Sequence, residues 1–176
     1  MKVRALKIPD VYVVETQPTS DERGLFARTF CQDDFMRHGM NGRVVQCNTS
    51  FNERRGTLRG MHLQAAPMAE TKLVRCTRGA IFDVVVDVRR HSPTFCQWEG
   101  VELSADDRRA LYIPEGCAHG FQTLTDGAEV LYLMGQFYSP AHARGVRWND
   151  PAFHIQWPIS APILSTRDAQ YADFVR

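Results

Sequence analysis

The chain has 176 residues, 44% hydrophobic and 23% charged, with 21 lysines and arginines against 20 aspartates and glutamates for a formal net charge of +1. That size and composition suit one globular domain spanning 1–176 with a buried core, and the balanced charge, with no block of like charges, argues against a nucleic-acid-binding surface. No stretch approaches the length of a bilayer span, residues 1–10 lack the apolar core of a signal peptide, and five cysteines (Cys31, Cys47, Cys76, Cys96, Cys117) contain no C-x-x-C pair; the expectation is a cytoplasmic protein with reduced thiols, no membrane contact and a small-molecule partner.

In chain order, short runs rich in valine, isoleucine and aromatics fall at 11–15, 25–30, 44–47, 73–77, 81–88, 95–103, 110–113 and 130–137, separated by turn residues. Such spacing predicts an all-β protein. The most strand-like stretch is Asp83-Val84-Val85-Val86-Asp87, bounded by Arg78-Gly79 and by the turn material of residues 89–93. Two further strand signatures each set a histidine among glycines and apolar residues: Leu58-Arg59-Gly60-Met61-His62-Leu63-Gln64 and Ile113-Pro114-Glu115-Gly116-Cys117-Ala118-His119-Gly120-Phe121. Helix is scarce. Residues 33–38, closed by Gly39, and Ser165-Thr166-Arg167-Asp168, which resembles a capping box, are the candidates. The expected fold is a jelly-roll-like β-barrel with short helices and a ligand pocket at one mouth.

Pro114-x-Gly116-x-x-His119 resembles the second conserved stretch of the cupin superfamily, and His62-x-Gln64 followed by Glu70 sits where cupins place the first. Metal-binding cupins bring three histidines and a carboxylate. Here Gln64, a neutral amide and a poor ligand, stands at the second histidine's place, so a site with no metal is expected; a metal-dependent oxygenase or isomerase using His62, Glu70 and His119 is the enzymatic rival. Without a metal, a barrel histidine is most useful as a general base, and proton abstraction beside a carbonyl is the natural task. That reaction needs a positive group at the enolate, an acid on the opposite face and a partner for the imidazole. Lys72 can supply the first, Tyr132 or Tyr138 the second and Asp168 the third, although Asp168 can equally serve only as a helix cap with Ser165.

Seven segments, in order from about Ile8 to Asp168, resemble the dTDP-4-dehydrorhamnose 3,5-epimerase family: Asp21-Glu22-Arg23-Gly24, Gln46-x-Asn48-x-Ser50, Leu58-Arg59-Gly60-Met61-His62-x-Gln64, Lys72-Leu73-Val74, Gly79-x-Ile81-x-Asp83-Val84-x-Val86-Asp87, Ile113-Pro114-x-Gly116-x-Ala118-His119-Gly120-Phe121 and Trp148-x-Asp150. The resemblance implies a cupin-like homodimer with no cofactor, acting on a nucleotide-linked 4-keto-6-deoxy sugar at C3, C5 or both. By that resemblance His62 is the base, Asp168 its partner, Tyr132 the proton donor, Lys72 the group beside the enolate and His119 a sugar contact. Gln46, Asn48 and Arg59 match positions that hold the diphosphate, Tyr138 the aromatic that stacks on the nucleobase, and Arg23 and Phe26 residues reaching across from the second subunit. A binding module that has lost catalysis is the non-enzymatic rival, against which stands the retained set of base, acid, cation and carboxylate.

The chain departs from the family pattern at Arg28 and Arg144, where glutamates are usual, and at Arg167, which replaces a lysine beside Asp168 and keeps its charge. An arginine donates where a glutamate accepts, and so suits a base that presents acceptors, such as cytosine or guanine, over thymine; the plainer expectation is that Arg28 faces solvent or the diphosphate. Cys47, Cys117 and Glu70 are smaller departures with roles left open.

Overall fold

The computed structural model describes residues 1–175 and contains, among them, thirteen strands and two short helices. One antiparallel sheet runs in the order β1 (Lys2–Ala5), β2 (Tyr12–Glu15), β10 (Ala110–Ile113), β7 (Lys72–Arg78), β12 (Ala128–Met134), β5 (Gln46–Asn52). The other runs β13 (Ala143–Gly145), β6 (Leu58–Gln64), β11 (Cys117–Thr123), β8 (Ala80–Asp87), β9 (Trp98–Ser104). This is the all-β jelly-roll architecture expected from strand spacing.

The period of two along each strand sorts side chains into three layers. On β7 and β12, Val74, Cys76 and Val130 point into a core between the sheets, where they meet Ile81, Val85 and Leu103 of β8 and β9 and Phe121 of β11. The intervening Leu73 and Leu133 point outward, to a second cluster with Tyr112 that Phe35 covers. Phe35 sits on α1 (Gln32–Arg37) and is 1% exposed, so its removal is expected to cost about 3–5 kcal/mol. On the far side, Val84 and Val86 of β8 are covered by Phe153, Ile155, Trp157 and Phe174 of the irregular C-terminal segment. A separate hairpin, β3 (Thr19–Asp21) with β4 (Gly24–Phe26), stands out from both sheets, with Phe26 80% exposed.

One irregularity shapes the site. His119 pairs with His62 and Phe121 with Arg59, so β6 spends three steps where β11 spends two. The extra residue is a β-bulge, and it reverses the side-chain parity of β6. The strand approaches β11 closely there: Gly60 has φ +138°, and a Cβ on it would lie 2.5 Å from Gly120 Cα, which only paired glycines permit.

Several predicted ends move. The 25–30 run is strand only to Phe26, the 44–47 strand spans Gln46–Asn52, the 95–103 strand begins at Trp98 and the 130–137 strand stops at Met134. Before Trp98, the chain makes turns tied to Asp87, which accepts from Arg89, Ser92 and Thr94, and these local bonds displace strand geometry. β1, β3 and β13, short strands at or outside sheet edges, carry no alternation long enough to be read.

Candidate active site

Between the sheets lies a cavity of about 400 Å³, lined by residues from both. The bulge gives β6 two cavity-facing side chains, Arg59 and His62, and His119 stands beside His62 on the neighbouring strand. Across the cavity, β7 contributes Lys72 and β12 contributes Tyr132, which pairs in register with Asn48 of β5. The base and the acid inferred from sequence therefore stand on facing walls.

His62 Nε2 lies 2.7 Å from Asp168 Oδ1. Asp168 Oδ2 accepts from the Gly60 backbone N–H at 3.3 Å, and the Asp168 N–H donates to Ser165 Oγ at 3.1 Å. Asp168 makes both contacts, at different atoms: its backbone joins the cap of α2 (Thr166–Ala169), and its carboxylate reaches the imidazole. Burial works to raise the Asp168 pKa, yet the His62 hydrogen bond and charge, with the Gly60 and Ser165 bonds, hold it below the ordinary carboxylate value. An ionised carboxylate accepting from Nε2–H leaves Nδ1 of His62 as the basic nitrogen.

His119, 4% exposed, has its own carboxylate: Nε2 lies 2.7 Å from Asp83 Oδ1. Its ring stands edge-on to Tyr132, with centroids 6.1 Å apart. Burial, reinforced by the charge of Asp83, pushes the Tyr132 pKa far up against a smaller opposing pull from Arg59, so the phenol keeps its proton at neutral pH and has one to donate. Lys72 Nζ donates to the His62 carbonyl at 3.0 Å and pairs with Glu70 at 3.2 Å, both side chains being under a tenth exposed. Glu70, offered to a metal in the rival reading, is committed to Lys72, and among the described residues no group of three His, Cys, Asp or Glu side chains is arranged to hold a metal ion.

Beside this cavity is a second of about 210 Å³, which shares Asn48, His62, Met134 and Arg167 with the first and adds Gln46, Tyr138 and Arg144. Gln46 donates to Asn48 at 3.0 Å and accepts from the Tyr138 backbone at 3.3 Å. Gln64 is a structural residue: its amide donates to the carbonyls of Met68 and Phe137 and accepts from the Ser139 N–H, fixing the loop that carries Tyr138. Arg144 donates to the carbonyls of Ala141 and Ala143, while Arg28 is exposed and lines neither cavity. Arg23, paired with Asp21, and Phe26 sit on the projecting hairpin, also outside both cavities. Cys117 packs in the inter-sheet core, where burial pushes its thiol up to about 12, and Cys47 is exposed.

Four participants have no role in the sequence reading. Asp83 was visible as a charge on the inward parity shared with Ile81 and Val85, which calls for a buried partner. Asn52, which accepts from Arg59 Nε at 2.7 Å, the Gly60 N–H and Tyr171 gave no such signal.

The sequence profile described as dTDP-4-dehydrorhamnose 3,5-epimerase matches residues 5–175. The dTDP-4-dehydrorhamnose 3,5-epimerase of Shigella flexneri is 46% identical over 176 residues, covering 99% of this chain and 97% of that protein. Among solved structures, the Bacillus anthracis dTDP-4-dehydrorhamnose 3,5-epimerase with TDP and PPi bound superposes with a TM-score of 0.95 at 41% identity, covering 98% of this chain and 99% of that one. The Legionella pneumophila dTDP-6-deoxy-D-glucose-3,5-epimerase in complex with dTDP-4-keto-L-rhamnose gives a TM-score of 0.90 at 36% identity, covering 97% and 90%. With a profile match over nearly its whole length and relatives of this identity and coverage, the chain belongs to the dTDP-4-dehydrorhamnose 3,5-epimerase family.

Proposed function

We propose that the protein is an isomerase that inverts C3 and C5 of a dTDP-linked 4-keto-6-deoxyhexose by proton removal and return, with no cofactor. The observation that carries this reading is the placement of His62, backed by Asp168, on one sheet and Tyr132, held protonated, on the other. His62 Nδ1 takes the proton from the carbon beside the ketone. The electrons left behind form an enolate, whose oxygen is stabilised by the Lys72 ammonium. Tyr132 then delivers its proton to the same carbon from the opposite face, which inverts it. His119 contacts the sugar.

Arg59, held by Asn52, and Gln46 with Asn48 grip the diphosphate; an arginine fork suits phosphate oxygens. Tyr138 stacks on the base in the smaller cavity, with Arg144 and Arg167 at its wall. The dTDP-linked sugars for which the relatives are named favour thymidine, and with Arg28 away from both cavities the case for a different base rests on Arg144 alone. Among the described residues no helix is long and apolar enough to cross a membrane.

Incubation in deuterated water with 4-keto-6-deoxyglucose carried on dTDP, CDP or GDP tests these assignments together. Label is expected at C3 and C5 with dTDP as the preferred carrier, and His62→Ala should abolish exchange. Persistent exchange in that variant would refute His62 as the base, and label at one carbon only would restrict the reaction to that position.

A further inference from the structure

We propose that Tyr171 is a positioning residue for this site: its ring replaces the side chain that Gly145 lacks and braces the His62 imidazole, while its hydroxyl holds Arg167. The inference rests on the epimerase reading, in which His62 is the base.

In the ladder between β13 and β6, Gly145 is the direct partner of His62. Facing residues in an antiparallel pair brace one another through side chains about 5 Å apart, and a glycine removes that support from the edge of the sheet. Tyr171 fills the space. A Cβ on Gly145 would lie 2.2 Å from Tyr171 Cζ and 2.6 Å from its Oη, so the ring rests on the bare glycine backbone. Its centroid is 6.2 Å from that of His62, with planes at 66°, the edge-to-face geometry that aromatic pairs prefer.

The hydrogen bond from Nε2 to Asp168 fixes one atom of the imidazole and leaves the ring free to tip, because the terminal torsion of histidine is broad. A packed neighbour removes that freedom. Tyr171 follows Asp168 by three residues at the end of α2, so one short turn sets both the carboxylate and the brace. The Tyr171 hydroxyl accepts from Arg167 Nε at 3.0 Å, the guanidinium carbon lies 5.9 Å from the ring centroid, and Arg167 lines both cavities. Tyr171 thereby acts at both cavities while lining neither.

Three variants test the assignment. Tyr171→Ala and Gly145→Ala, the latter evicting the ring while leaving the tyrosine in the chain, should each lower kcat by about tenfold to a hundredfold, the penalty for a base displaced by a fraction of an ångström to an ångström. Tyr171→Phe should recover most of that kcat and instead raise KM by about threefold to tenfold, as expected for the net contribution of one solvent-exposed hydrogen bond. The His62 Hε1 resonance, assigned by its loss in His62→Asn, should move in Tyr171→Ala and Gly145→Ala and stay near its wild-type position in Tyr171→Phe. An unmoved resonance in both alanine variants, or a kcat in Tyr171→Phe as low as in Tyr171→Ala, overturns the proposal. Wild-type protein that exchanges no sugar C–H with solvent would sink the epimerase reading instead, and the resonance would still decide whether the ring braces His62.

Discussion

Asp168 shows how one residue serves two structures at once, and the sign of its pKa shift makes this testable. Its folded pKa lies below the ordinary value despite burial, because His62, Gly60 and Ser165 all favour the ionised form. A depressed carboxylate contributes stability that is fully present above the unfolded pKa, near 4, and is lost as pH falls through the lower folded value. Asp168→Asn removes that acid-labile contribution and lets the imidazole take the wrong tautomer; kcat should fall by on the order of a hundredfold to ten-thousandfold, read as the rate of deuterium incorporation, with the backbone cap to Ser165 intact. Most of the residues assigned to the centre were legible from their motif positions, since His62, Lys72, Tyr132, His119 and Arg59 all meet at one cavity. The work of Gln64 in anchoring the Tyr138 loop was not legible, because its partners are backbone atoms up to 75 residues away.

Strands with clean alternation were readable because burial on one face leaves a period of two. The bulge in β6 was not: it depends on the Gly60–Gly120 approach between strands 60 residues apart, and no local pattern announces a parity change. The turn after β8 is the element whose chemistry is most exposed to experiment. Asp87 is fully buried there, and although burial opposes its charge, bonds from Arg89, Ser92 and Thr94 bring it down to about 2. Its stabilisation is complete above about pH 4 and is lost as pH falls toward about 2. Asp87→Asn should therefore cost on the order of 2 kcal/mol at pH 7, with the difference from wild type shrinking in urea titrations at low pH. Equal destabilisation at both pH values would contradict this account.

At the scale of the whole molecule, the single chain leaves a hairpin without a neighbour. Phe26 is 80% exposed and Arg23 lies on the same hairpin, yet neither lines the two active-site cavities of its own chain. The homodimer that family resemblance leads one to expect, its hairpin completing the partner's nucleotide site, would cover Phe26. Phe26→Asp should shift the protein toward monomer by analytical ultracentrifugation and raise KM for the nucleotide sugar more than it lowers kcat; a dimer with unchanged KM would remove the hairpin from the assembly. The expectation of a homodimer comes from family resemblance alone, because the exposure of Phe26 exists only in the folded chain.

The dyad joins residues 106 positions apart, and its two halves belong to parts of the molecule with unequal hold on the native state. His62 is carried by β6, paired on both sides within its sheet; Asp168 is carried by a four-residue helix, tied down beyond it by an Arg147–Asp173 ion pair, the Phe174 N–H to Asp150 and the packing of Phe174 on Phe95 and Phe153. So short a helix has little stability of its own, and segments of this kind open before the core does. On heating, catalysis should fail at a lower temperature than the circular-dichroism signal of the sheets, and brief protease treatment should clip the tail and silence a barrel that is still folded. The enzyme's working range is then set by how long residues 166–175 stay docked, and a substitution that tightens that docking would extend activity toward the melting temperature without touching the barrel.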